Sequence, residues 1–156
     1  MPPSVLFVCL GNICRSPMAE GAMRDAAARA GLTVATDSAG TGSWHVGQPP
    51  DSRAQAEAAR NGCDISDLRA RQVQPQDFHR FDHIIAMDAE NFDDLTRIDP
   101  GDGKAVLSLM LDHVRGREGQ SVADPYFGAK DGFKATWRDV SAGCNGLLQK
   151  LRQPVG

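Results

Sequence analysis

Val5-Leu6-Phe7-Val8-Cys9-Leu10-Gly11-Asn12-Ile13-Cys14-Arg15-Ser16-Pro17 passes from strand to helix through a short turn that carries two cysteines and an arginine. Val5 to Cys9 is an unbroken β-branched and aromatic run, the pattern of a strand buried on both faces. Gly11-Asn12 stops the run, and Ser16-Pro17 predicts a helix start, with Ser16 as its cap and Pro17 in its first turn. Outward from there, Ala19, Ala22, Met23, Ala26 and Ala30 recur at helical spacing, and Gly31 ends the helix. Leu32 to Thr36 predicts a second strand, followed by a loop at Ser38-Ala39-Gly40-Thr41-Gly42. Asp51 caps a helix that Gly62 stops. His83 to Met87 is a third buried strand, Asp88 opens another helix, and Ala105 to Leu109 is a fourth strand.

Arg115 to Gly128 is rich in Gly, Asp and Pro and reads as loop. From Asp131 to Leu151, apolar residues at Phe133, Trp137, Val140, Cys144, Leu147, Leu148 and Leu151 mark a long amphipathic helix, with Phe133 and Trp137 in the core. Strands alternating with helices imply a parallel sheet covered on both faces. The expected fold is a small three-layer α/β domain whose ligands bind beyond the carboxyl ends of its strands. No repeat, low-complexity tract or linker divides residues 1–156, so a single domain is expected.

The composition excludes several classes of function. Hydrophobic residues make up 41% of the 156 and charged residues 24%, as in globular proteins. The apolar run Val5 to Leu10 is too short to span a bilayer, and no signal-peptide pattern is visible. Seventeen basic against twenty acidic side chains leave a net charge of −3, without the basic field of a nucleic-acid binder. The four cysteines do not form a secreted disulfide framework. A soluble cytoplasmic monomer without nucleic-acid or membrane partners is expected.

Cys9, five intervening residues, Arg15 and Ser16 are what phosphomonoester chemistry on a thiolate requires. A strand-to-helix turn aims successive backbone N–H groups into one concavity, and the helix dipole adds positive potential there. Gly11 is expected to take the unusual backbone angles of such a cradle. Arg15 supplies a planar fork for two phosphoryl oxygens, and the same positive field favours the thiolate of Cys9. Zinc on Cys9 and Cys14 is the rival reading, but no second cysteine pair or histidine cluster supports it, so neither metal nor cofactor is expected. Asp124-Pro125 in the late loop supplies a candidate acid, with Asp88 as its competitor; Asp88 also suits a helix cap or a loop anchor. Trp44, Tyr126 and Phe127 lie outside any periodic apolar face and suggest a binding wall for a phenyl ring, the alternative being that they pack onto helices. The four histidines carry no clear signal.

Val8-Cys9-Leu10-Gly11-Asn12-Ile13-Cys14-Arg15-Ser16-Pro17-Met18-Ala19-Glu20 closely resembles the signature loop of low-molecular-weight protein tyrosine phosphatases. Ser38-Ala39-Gly40-Thr41, Trp44, Arg71-Gln72, Phe81-Asp82, Met87-Asp88 and Asp124-Pro125-Tyr126 resemble further family motifs in the family's order. The resemblance implies a four-stranded parallel sheet flanked by helices, the phosphotyrosine protein phosphatase I-like fold. It implies hydrolysis of phosphotyrosine in protein substrates through a cysteinyl-phosphate, without a cofactor. Cys9 would be the nucleophile, Arg15 the phosphate and transition-state ligand, and Asp124 the general acid. Leu10, Gly11, Asn12, Ile13, Cys14 and Arg15 would cradle the phosphate. Asn12 would hold the loop's shape, the Ser16 hydroxyl would bond the thiolate, and Ser38 would support that network. Cys14 would be a redox partner of Cys9, a role that their shared loop also suggests.

One departure is visible: many members have a histidine before the Ala-Arg segment, where this chain has Leu68-Arg69-Ala70-Arg71. Three alternatives share this fold or this site. Arsenate reductases that resemble it need a downstream cysteine pair, and Cys63 and Cys144 stand far apart. Arginine phosphatases resemble the loop with Thr where this chain has Ile13, which favours phosphotyrosine. A non-catalytic phosphate-binding module would not need Cys9, Arg15 and Asp124 together.

Overall fold

The computed structural model describes residues 2–126, 128 and 131–152. Its strands are β1 (Ser4–Cys9), β2 (Ala35–Gly40), β3 (His83–Ala86) and β4 (Val106–Leu109). Its helices are α1 (Arg15–Arg29), α2 (Ser52–Arg60), the short α3 (Asp77–Arg80), α4 (Ala89–Ile98) and α5 (Asp131–Arg152), with a 3-10 turn at Met110–His113. All strand pairs are parallel, in the order β2-β1-β3-β4. The four-stranded parallel sheet flanked by helices is thus present.

β1 lies inside the sheet, which is why its sequence is apolar without alternation. Val5, Phe7 and Cys9 face a core completed by Met18 and Met23 of α1, Ala54 and Ala58 of α2, and Phe133, Val140 and Leu147 of α5. Leu6 and Val8 face a second core with Ile84 and Ala86 of β3, Phe78 of α3 and Leu95 of α4. Asp51 caps α2 by accepting the Arg53 N–H, and Asp88 caps α4 by accepting the Asn91 N–H. Among the described residues no helix is long and apolar enough to cross a membrane.

Several expectations need correction. The second strand is Ala35–Gly40 and not Leu32 to Thr36, because Leu32 and Val34 spend their apolar side chains packing against the core after α1. The paired stretch is small and polar, and a Cβ at Gly40 would lie 2.9 Å from the Leu10 carbonyl oxygen, so β2 approaches the cysteine loop closely only without a side chain there. Ser16 does not cap α1: the helix begins at Arg15, and Cys14, its cap position, makes no side-chain cap bond. Trp137 is only half-buried against the core, whereas Phe133 is fully buried. α3 and the 3-10 turn have no counterpart in the sequence reading.

Candidate active site

The loop from Cys9 to Arg15 hangs from the carboxyl end of β1, where β2 and β3 also end. Two hydrogen bonds tie its rim to the chain beyond β2: Thr41 N–H donates to Cys9 O and Gly42 N–H to Leu10 O, both at 2.9 Å. The left-handed position falls on Asn12, φ +59°, and not on Gly11. An asparagine tolerates that region when its amide bonds locally, and here both ends of the amide are used. Asn12 Nδ2 donates to Ser16 Oγ at 2.8 Å, and Asn12 Oδ1 accepts the Arg71 N–H at 3.0 Å.

Ser16 Oγ lies 3.0 Å from Cys9 Sγ, close enough for its hydroxyl to bond the sulfur, and 3.5 Å from Ala39 O, its other acceptor. Cys9 Sγ also accepts the Asn12 N–H at 3.3 Å. The N–H groups of Leu10, Gly11, Ile13 and Cys14 donate to no acceptor among the described residues. Ser38 is not joined to Cys9, Asn12 or Ser16 by any bond among the described residues; its side chain lies beside the Glu20 carboxyl, which burial pushes up.

Arg15 is 2% exposed. Its Nη1 donates to Asp88 Oδ2 at 2.6 Å and to Val122 O at 3.0 Å, which aims the guanidinium across the loop. Burial opposes its charge, but Cys9, Asp88 and Asp124 outweigh burial and hold it above the ordinary arginine value. Asp124 stands on the facing loop, its Oδ2 3.5 Å from Arg15 Nη2 and its Oδ1 accepting the Tyr126 N–H. Val122 N–H to Met87 O, 2.8 Å, fastens that loop to the end of β3.

Cys9, Leu10, Gly11, Ile13, Cys14, Arg15, Asp124, Trp44 and Tyr126 line one cavity of about 150 Å³. The cavity therefore gathers two thiols, a guanidinium, a carboxylate and the rings of Trp44 and Tyr126. Phe127 lies outside the described residues.

Residues 4–155 match the family model described as low molecular weight phosphotyrosine protein phosphatase. This chain belongs to that family. It is similar to the low molecular weight protein-tyrosine-phosphatase YfkJ of Bacillus subtilis, 43% identical over 96% of each chain. The YfkJ crystal structure superposes with a TM-score of 0.89, covering 98% of each chain. The human low molecular weight phosphotyrosine protein phosphatase is 36% identical over 94% of each. A Drosophila arginine phosphatase structure also matches, with TM-score 0.90 and 32% identity over 96% of this chain and 98% of that one. The chain is thus a member of a protein-tyrosine-phosphatase family, hydrolases by class.

Two residues of this family member's site escaped the sequence reading. His45 lines the cavity, its Cδ2 3.1 Å from where a Gly11 Cβ would stand, and its Nδ1 lies 2.9 Å from Gln48 Oε1. Its place beside Trp44 was the available signal. Arg53 stacks its guanidinium 5.3 Å from the Tyr126 ring centroid and 4.8 Å from that of Phe133. Arg53 also grips Asp51 with two bonds of 3.0 Å, while Asp51 N–H donates to Ile13 O. The start of α2 thereby links the Tyr126 side of the acid loop to the cysteine loop, a cation–π link of the sort that fixes an aromatic wall.

Proposed function

We propose that this chain hydrolyses phosphotyrosine on protein substrates through a covalent intermediate on Cys9. The observation that carries the reading is the convergence of Cys9, Arg15 and Asp124 on one aromatic-walled cavity beneath unengaged backbone N–H groups. The Cys9 thiolate attacks phosphorus, forming an S–P bond as the P–O bond to tyrosine breaks. Asp124 gives its proton to the departing phenolic oxygen, which leaves poorly as an anion because free phenol has a pKa of about 10. Asp124, now ionised, takes a proton from water as the water oxygen attacks phosphorus. The S–P bond breaks, and thiolate and inorganic phosphate result. Arg15 and the loop N–H groups hold the phosphoryl oxygens in both steps, stabilising the charge that gathers on them.

A phosphopeptide panel tests the reading. Phosphotyrosine should be turned over well, and phosphoserine and phosphoarginine poorly, because Trp44 and Tyr126 offer flat apolar surface and Ile13 offers no hydroxyl. Trp44→Ala should cost aromatic phosphomonoesters about tenfold more in kcat/KM than small alkyl phosphates, since ring contact and reach are lost together. Equal losses on both, or phosphoarginine as the best substrate, would overturn the assignment.

Cys14 lines the same cavity but keeps its proton: burial, then Asp51, Cys9 and Asp124, push its thiol up. Its expected part in redox protection therefore starts at Cys9. Peroxide converts the Cys9 thiolate to a sulfenic acid, and the Cys14 thiol condenses with it, forming an S–S bond and releasing water. Peroxide-inactivated wild type should recover with dithiothreitol, and Cys14→Ser should not. Equal recovery of the two makes Cys14 a packing residue. All four cysteines are free thiols in the structure, which fits the cytoplasmic location we infer.

A further inference from the structure

We propose that the groove on the far side of the Trp44 indole binds an apolar side chain of the substrate polypeptide next to the phosphotyrosine. The inference rests on the phosphatase reading above and assigns the substrate class more narrowly. Leu10 and Trp44, which wall the catalytic cavity, also wall a second cavity of about 370 Å³. The other walls include Val73, Ile98 at the end of α4, Gln72 and Arg97. Leu10 and Trp44 therefore stand between the two cavities. The indole packs over Gly42, where a Cβ would overlap the edge of the Trp44 ring.

The apolar surface around the partition is unusual for its exposure. Of the five large hydrophobic side chains exposed among the described residues, Leu10, Trp44 and Tyr126 line the catalytic cavity, and Val46 follows Trp44 in the same loop. Trp44 is 69% exposed and Leu10 40%. A contiguous apolar patch at the mouth of a site marks a surface that another molecule covers. The charges of the groove point to the same occupant. Arg97 donates to Asp94 at 2.7 Å and both line the groove, so its two charged side chains offset each other and give it no net charge that would select a phosphate or an acidic residue. Gln72 spends its amide N–H on Thr41 O at 3.1 Å. The apolar part of its lining is Leu10, Val73, Ile98 and the Trp44 indole.

Continuity with the catalytic cavity identifies the occupant as the substrate chain itself. An extended polypeptide rises about 3.3 Å per residue, so a polypeptide whose phosphotyrosine enters one cavity carries its neighbouring side chains over Trp44 within a few residues. A leucine, methionine or phenylalanine there would bury its side chain against the groove.

The test is a set of phosphotyrosine peptides in which leucine or aspartate is placed in turn at each of the three positions on either side, with kcat/KM measured for the full chain. Leucine should exceed aspartate about tenfold at one position on one side, the scale expected for burying most of an aliphatic side chain. Ile98→Asp, which puts a charge on an apolar wall of the groove, and Gln72→Trp, which adds bulk at an exposed lining residue, should each bring that ratio to within about twofold of unity. Both variants should turn over p-nitrophenyl phosphate as the wild type does. A flat scan, a preference for aspartate, or a leucine preference that survives both variants overturns the proposal while leaving the phosphatase reading intact. Absence of p-nitrophenyl phosphate turnover in the wild type overturns both. A wild-type dimer in sedimentation that Gln72→Trp dissociates assigns the groove to a second copy of the chain and also overturns it.

Discussion

Cys9→Ser should lower turnover of every phosphomonoester by about 10⁴-fold or more while leaving phosphate and vanadate bound, since removal of a covalent nucleophile costs on that scale. The expectation follows from what surrounds the sulfur. A serine oxygen would occupy the same place between the Ser16 hydroxyl and the Asn12 N–H, but as a neutral alcohol it would need a base to remove its proton. The nearby carboxylates are occupied otherwise, Asp88 with Arg15 and Asp124 with the leaving group in the proposed mechanism. Binding survives because it depends on Arg15 and the loop N–H groups, which the substitution does not touch. The same division of labour predicts indifference to chelators: Arg15 and the N–H groups meet the phosphoryl charge that a metal would otherwise neutralise. Measuring p-nitrophenyl phosphate turnover with and without EDTA, and vanadate binding to Cys9→Ser, checks both halves. Activity lost to chelator and restored by zinc or magnesium, or a serine variant that still turns over, would remove Cys9 from the centre of the mechanism.

Those parts of the fold whose signal is local were legible in the sequence. β1 could be read because a strand buried on both faces is apolar at every position, and α5 because its stripe repeats over many turns. β2 was displaced because pairing with β1 and close approach to Leu10 decide its register, and both are long-range. α3 is a single short turn held by local side-chain bonds, with the Asp77 carboxylate accepting from Arg71 and from the Gln74 N–H. No periodicity announces such a segment. In the site, Cys9 and Arg15 were legible from spacing, but Ser16 has two plausible duties in any sequence. Which one it performs depends on where the helix begins: α1 starts at Arg15, so Ser16 lies inside the first turn with its hydroxyl against the Cys9 sulfur. Arg53 was invisible because it acts through rings that are distant in sequence.

The choice between two aspartates was the least legible of all, because both sit where turns and caps also want aspartate. The structure separates them by what their oxygens already do. Asp88 uses one oxygen on Arg15 at 2.6 Å and the other on the Asn91 N–H at 2.7 Å, and it does not line the catalytic cavity. Asp124 lines the cavity, contacts Arg15 only at 3.5 Å, and its side chain is 39% exposed. An acid that must deliver a proton to one oxygen and later accept one from water cannot be locked into a short ion pair. Asp124→Asn should therefore lower kcat on phosphotyrosine peptides by about 10²–10⁴-fold, the usual worth of general acid–base catalysis. The loss should shrink on p-nitrophenyl phosphate, whose leaving group needs little protonation. Asp88→Asn keeps the cap on α4 but removes the charge opposite Arg15, so its cost should appear mainly in KM and in phosphate inhibition, and should be alike for good and poor leaving groups. A series of aryl phosphates measured on both variants decides the matter. If the leaving-group dependence appears with Asp88→Asn and not with Asp124→Asn, then the proton comes from the residue now assigned to hold Arg15, and the loop carrying Asp124 serves only to close the cavity.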